Sequence, residues 1–505
     1  MKTIALIIAL AMAPYLAMVP CFATTYYVAP NGSNSNNGTS VGTPFLTIQK
    51  SLDVAIAGDT VNIMAGTYPE ALVLKTTGSS SARITVRNYN GASVTVSSGN
   101  SKALRAGGRR HYYVFDGLRF ITDHMVYDAP YDNDFTLDFK DVIWDGNTTD
   151  AGNCGFIVRN CYVEGAIRIY GHGILVENCE LNGKSLWRNG IMDGYTSSHD
   201  NIYRRNTIYG YKDRGVWSMQ YTDNILIEEN IIHDIYNPSN GNSIQAGVDC
   251  DGAGHPVTRC IVRKNTIYNV GGRLVEMENS FNSVVEDNIG HDSKLMGIHF
   301  INYGLGSADF TSDAEHRTTN TNSIVRNNIV YNTTQDGIII RAAPGTKIYN
   351  NTIFNVSGTK GYYGAISLIA YGGYYSHNVD IRNNIVMQGK PWAIYIDQPS
   401  GGLIGVTMNN NLYYDSDNAN THHVVDKGNN TSANYTLSAY QILTGRETLS
   451  KSASAVFVNS TAKNFHLANT SPCIDAGATL NDVPDDIEGT TRPQLTTYDI
   501  GAYEY

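Results

Sequence analysis

The chain has 505 residues, 42% of them hydrophobic and 16% charged, with a formal net charge of -10. The acidic balance and the lack of a basic run exclude recognition of nucleic acid or another polyanion by simple charge attraction. Beyond residue 23, no run is long and apolar enough to span a bilayer.

Residues 1–23 read as a secretory signal. Lys2 supplies the charge, Ile4 to Ala13 the apolar stretch, and Cys21-Phe22-Ala23 the small-x-small cleavage site. Pro20 before Cys21 fits a lipoprotein signal poorly. The mature chain is therefore expected outside the cytoplasm, secreted or periplasmic, as a soluble monomer.

Residues 24–70 read as an opening cap. Tyr26-Tyr27-Val28 is a strand, residues 31–42 are a Gly/Ser/Asn loop, and Thr43-Pro44 can start a helix through Ile48, Leu52 and Ala55 that stops at Gly58. Such a helix can cover the open end of a stack of strands, which would otherwise expose its core and edge amides. Val61 to Met64, Ile84 to Val86 and Tyr112 to Phe115 then begin the strands.

From residue 71 to 414 the chain rewrites one pattern, an Asn followed by an apolar pair and a large side chain. It appears as Asn206-Thr207-Ile208-Tyr209, Asn230-Ile231-Ile232-His233, Asn265-Thr266-Ile267-Tyr268 and Asn288-Ile289-Gly290-His291. It returns at Asn328, Asn351, Asn384 and Asn411, with weaker copies at Asn160 and Asn178. Successive asparagines are 18, 28, 24, 35, 23, 40, 23, 33 and 27 residues apart, the signature of a solenoid whose loops swell in some copies. Before most asparagines lies a short alternating strand, such as Ile261-Val262-Arg263. Further upstream lies a second one opened by Gly, such as Gly247-Val248-Asp249-Cys250 or Gly297-Ile298-His299-Phe300. Short strands stacked in parallel make a single-stranded parallel β-helix of roughly a dozen coils. Its asparagines should form a ladder at one corner, about 4.8 Å apart. Cys161 and Cys179 each follow a repeat Asn by one residue and should stack in neighbouring coils, as a bridge or as packed thiols. No pair of cysteines has zinc-ligand spacing.

Residues 415–455 lack the repeat and lead into a closing segment through residue 505. Two regions carry a resemblance. Tyr27-Val28-Ala29-Pro30-Asn31-Gly32-Ser33, Pro44 to Lys50, Gly58-Asp59-Thr60-Val61 and Ala65-Gly66-Thr67-Tyr68 resemble the N-terminal region of secreted bacterial right-handed β-helix proteins, family 9 pectate lyases among them. Phe465-His466-Leu467, Ser471 to Gly477, Arg492-Pro493 and Tyr498 to Glu504 look like the closing segment of such proteins. The resemblance implies an all-β, right-handed, pectin-lyase-like solenoid with an N-terminal helix cap. It also implies a carbohydrate-active protein. The calcium-binding Asp-Asp-Gly-Phe-Asp segment of family 9 lyases has only a distant counterpart here, Asp249-Cys250-Asp251-Gly252.

A β-helix turns alternate side chains outward, so successive coils line them up in columns. Aligning the Gly-opened strands puts Val248, Val275, Ile298 and Ile338 inward. The outward columns are then Trp217, Asp249, Glu276, His299, Ile339 and, one step along, Met219, Asp251, Glu278, Ile301, Arg341. Four carboxylates from two neighbouring coils converge on one outer, exposed face beside His299. Like charges that close need a cation or a shared proton. Asp249, Asp251, Glu276 and Glu278 could hold calcium and a substrate carboxylate, with Lys294, Arg273 or His299 as base in a β-elimination. Alternatively, two of them could act as acid and base in glycoside hydrolysis. A third reading is a non-catalytic polysaccharide-binding or structural protein with solvated surface acids. Trp217, Tyr303 and Arg341 are the expected substrate contacts, since flat rings suit pyranose faces. Trp187, Tyr195 and Tyr221 lie nearby in sequence.

Two weaker signals remain. Gly171-His172-Gly173 resembles a polygalacturonase motif, but the paired aspartates upstream and the Arg-x-Lys downstream are lacking. Asp128, Asp132, Asp134, Asp138, Asp141 and Asp145 crowd one stretch with Tyr131, Phe135 and Trp144, read as a solvated loop with a calcium loop as the alternative.

Overall fold

The computed structural model describes residues 23–505 apart from 100, 107–109, 123–134, 141–153, 195–197, 237–244, 253–254, 304–318, 359–363, 399–402, 417–423 and 427–433. All of the secretory signal but Ala23 lies outside the described residues, as do Tyr195 and most of the acidic stretch at 128–145.

Each coil gives one short strand to each of three sheets. The coil around Asn265 shows the plan: Ile261–Arg263 in the first sheet, Thr266–Val270 in the second and Arg273–Glu278 in the third. Among the described residues each of these three sheets contains 14 strands, so the stack is somewhat taller than the dozen coils expected. The pairing is parallel throughout these sheets except at the end of the third, where Val424–Asp426 meets Asn434–Tyr435 antiparallel. The strand after each Asn was legible only as a motif, because three to five residues carry little periodicity.

The local sequence explains the corners. The residue before each ladder asparagine adopts a left-handed backbone, with φ of 54° at Arg205, 55° at Lys264 and 57° at Asp287. That conformation turns the chain between the first and second sheets. Asn160 and Asn178 occupy this turning position, at φ of 54° and 52°. The expected register is therefore off by one there, and Cys161 and Cys179 take the ladder place. Corners between the second and third sheets need glycine for another reason. A Cβ at Gly247 would lie 2.3 Å from Ile267 Cγ2 and 2.8 Å from the Leu274 carbonyl of the next coil.

Inward residues form one long core running the length of the stack. At its start the helix covers Ile48–Val54 and begins four residues later than Pro44, because the Thr47 hydroxyl caps Lys50 N–H. The Glu70 carboxylate accepts from Ile48 and Gln49 N–H, both at 2.9 Å. At the far end a second helix, Leu437–Thr444, stops at Gly445 with φ of 68°. The chain then returns along the outside as a strap. Asn327, Asn350, Asn383 and Asn410, at the left-handed corner, donate through Nδ2 to the carbonyls of Asp485, Asp499, Ala478 and Ala476 at 2.8 to 3.1 Å.

Candidate functional site

The columns read from the sequence are the columns of the third sheet. Trp217 pairs with Asp249, Asp249 with Glu276, Glu276 with His299, and His299 with Ile339; alongside, Asp251 pairs with Glu278, Glu278 with Ile301 and Ile301 with Arg341. Strand alternation on a bulge-free register places them so.

The expectation of an exposed face needs correction. Asp249, Glu276 and His299 are fully buried and Glu278 is 3% exposed, while Asp251, Arg273, Arg341 and Tyr303 are half-buried. Buried carboxylates call for cations, and two arginines supply them. Arg214 Nε donates to Asp249 Oδ2 at 2.5 Å, and its guanidinium lies 4.2 Å over the Trp217 ring. Arg273 Nε lies 2.8 Å from Glu276 Oε2, and His299 Nδ1 lies 2.8 Å from Glu276 Oε1. Both contacts to Glu276 are close in distance but lack the alignment of directed hydrogen bonds, and the one to Arg273 acts as an ion pair. Arg214 escaped the sequence reading. Its signal was present, since it shares a row with Ala246 and Arg273.

Charge is uneven within the cluster. Burial pushes the Glu278 carboxyl up to about 11, helped by Asp249, Glu276 and Asp251, so it carries a proton at neutral pH. Burial also raises Asp249 to about 7; Arg214 opposes the rise while Asp251 and Glu276 add to it. Burial works against ionising Glu276 too, but His299 and Arg273 outweigh it and hold that carboxyl low. Burial also drives His299 toward its neutral form, which leaves Arg273 as the lasting counter-charge.

The remaining candidates separate. Lys294 is exposed at a turn, with Nζ 3.4 Å over the Tyr236 ring, and the turn carries it off the strand that bears His299. Arg341 lies two coils beyond Glu278 in the same column. Tyr303 meets Tyr371 edge to face at 5.2 Å. Trp217 is only 8% exposed, and its Nε1 donates to Asp251 Oδ2 at 3.2 Å. Trp187 is buried, whereas Tyr221 is exposed and stacked on His255. Asp138, read as part of a solvated loop, is instead buried on the third sheet, bound by Arg168 Nε at 2.9 Å and by Lys102. His172 of the Gly-His-Gly motif stacks on His199 at 4.1 Å. Among the described residues no three His, Cys, Asp or Glu side chains are grouped so as to hold a metal ion. No helix among them is long and apolar enough to cross a membrane.

A family profile described as "Right handed beta helix region" matches residues 143–312 and 307–437. An uncharacterised protein of Bacillus subtilis (strain 168), YwoF, is 25% identical over 413 residues, which cover 77% of this chain and 80% of the relative. XylC in complex with xylose superimposes with a TM-score of 0.50 at 12% identity, over 95% of this chain and 98% of that one. Pectate lyase Pel9A gives a TM-score of 0.43 at 14% identity, over 95% and 96%. At such identities the likeness to solved structures is one of fold.

Proposed function

This chain belongs to the right-handed β-helix family, and on that premise we propose that it is an exported carbohydrate-active enzyme that hydrolyses a polysaccharide, with Asp251 and Glu278 as the reacting carboxyls. One observation carries the reading: a carboxyl that keeps its proton at neutral pH, Glu278, faces a carboxylate that reaches solvent, Asp251, on the neighbouring coil. General acid catalysis of glycoside cleavage needs a protonated carboxyl beside an ionised one. In this reading Glu278 protonates the leaving oxygen, and Asp251 attacks the sugar or stabilises its cation. Neighbouring strands are about 4.8 Å apart, which suits the closer separation of retaining enzymes.

β-Elimination needs an unprotonated base beside the acidic C–H of the sugar. Lys294 is stacked on Tyr236, Arg273 is committed to Glu276, and His299 is fully buried. Calcium, the expected ligand of the four acids, has competition from Arg214 and Arg273, which already neutralise two of them.

The test is a panel of polysaccharides incubated with and without a chelator. New reducing ends without ultraviolet-absorbing unsaturated ends, unchanged by the chelator, are expected. Unsaturated ends would mean a lyase, loss of activity with the chelator a metal enzyme, and no cleavage across the panel a binding protein. Asp251→Asn and Glu278→Gln should each lower kcat by at least about 100-fold while leaving the melting temperature near that of wild type. Retention of the anomeric configuration, followed by NMR of the first product, completes the assignment.

A further inference from the structure

Trp217 was expected as a platform for a sugar ring, yet its surroundings give it other work. The Arg214 guanidinium lies over the ring at 4.2 Å and the side chain is 8% exposed, so little of the indole is open to a pyranose. Its N–H points along the sheet to Asp251 Oδ2, 3.2 Å away on the next coil. Arg214 is itself fixed by Asp249. The result is a chain of contacts, Asp249 to Arg214 to Trp217 to Asp251, that begins at a buried carboxylate and ends at the acid facing solvent.

Resting on the hydrolytic reading above, we propose that Trp217 is a positioning residue that orients Asp251 through its indole N–H, with Arg214 clamping the ring. Among the described residues, Glu278, Asp249 and Arg214 interact electrostatically with that acid. The protonated Glu278 carboxyl hydrogen-bonds to Asp251 from the following coil. The indole N–H holds the Asp251 carboxyl from the preceding coil. Asp251 can thus face a substrate and its acid partner together.

Trp217→Phe keeps a ring under Arg214 and deletes the N–H donor, together with part of the buried indole bulk. The proposal expects kcat to fall about 10- to 100-fold, the worth of one hydrogen bond to a charged group, with KM within about twofold. A raised KM at constant kcat would make Trp217 a sugar platform, and unchanged kinetics would give it no role in the reaction; either result overturns the proposal. A second measurement needs neither activity nor a Trp variant. The chain has 4 tryptophans, so a 15N–1H spectrum carries one indole resonance for each. Asp251→Ala should move one of them upfield as its acceptor is lost, and four unmoved resonances would refute the contact. A wild-type protein that cleaves no polysaccharide would remove the hydrolytic reading, and the indole spectrum would still decide whether Trp217 holds Asp251.

Discussion

At the corner between the first and second sheets, each ladder asparagine bridges the coils on either side of it. Asn288 Oδ1 accepts from both the backbone N–H and the Nδ2 of Asn265, at 3.0 and 2.9 Å, while its own Nδ2 donates to the Val262 carbonyl at 2.9 Å. Asn288→Ala leaves buried backbone groups unmatched and should cost about 1–3 kcal/mol in urea unfolding. The two cysteines show what the position requires. Cys179 Sγ lies 3.5 Å from the Val158 carbonyl and Cys161 Sγ 3.6 Å from the Phe115 carbonyl, and Cys179 N–H donates to Asn206 Oδ1. Each thiol thus fills the donor role of an asparagine amide, with a weaker donor. Cys179→Asn should extend the ladder by one rung and raise the urea midpoint; a lower midpoint would mean that the thiol is chosen for its size. Burial pushes the Cys179 thiol well above its ordinary range, which makes it a poor nucleophile in the folded protein.

Among the elements, the first sheet carries a device of its own. Its outward column reads Arg87, Asp116, Arg159, Glu177, Arg204, Glu228, Arg263, Glu286, Arg326, with the sign alternating at every coil. Arg159 Nε donates to Asp116 at 2.8 Å, Arg204 to Glu177 at 3.0 Å, Arg263 to Glu228 at 2.9 Å and Arg326 to Glu286 at 2.7 Å. A coil displaced by one repeat would set like charges together, so the column marks the correct stacking order as well as stabilising it. Glu228→Lys loses contacts to Arg204 and Arg263 and adds repulsion from both. Its expected cost is about 1–2 kcal/mol, shrinking in 1 M salt. A cost independent of salt would show that packing of the buried Glu228 stem, not charge, holds the column.

Over the whole molecule, the doubled asparagines of the last coils become intelligible. In Asn327-Asn328, Asn350-Asn351, Asn383-Asn384 and Asn410-Asn411 the second residue builds the ladder and the first grips the C-terminal strap. Upstream, the same outer position carries Arg205, Glu229, Lys264 and Asp287. The strap is further anchored by Lys347 with Asp482 at 2.6 Å, by Gly501 N–H on the Asn383 carbonyl, and by a buried pair of its own, Arg492 with Glu504 at 2.7 Å. Replacing Asn350 and Asn383 by Ala should open the strap to proteolysis beyond residue 470 and lower the melting temperature. Glu229→Ala, at the equivalent corner upstream, should do neither. If the double variant resists the protease as wild type does, the strap is held by its other contacts and not by these two amides.

The repeat, the ladder column and the pairing of Asp249 with Glu276 and of Asp251 with Glu278 were all determined by the sequence itself. Strand alternation and in-register stacking are local rules, and each coil obeys them independently of loop length. The one-residue shift at Asn160 and Asn178 shows the limit of that reading, since adjacent corner positions both favour asparagine and only backbone conformation tells them apart. Burial was decided by the tertiary structure. Four acids on an outward face look solvated until Arg214 and Arg273 are seen beside them, and Trp217 looks like a platform until Arg214 is found above it. The strap is the clearest case. Asn383 meets Ala478 across 95 residues and Asn327 meets Asp485 across 158, contacts that depend on where a returning chain happens to lie. A periodic pattern specifies neighbours one coil away, whereas partners that distant are set only when the stack is complete and its surface exists to be covered.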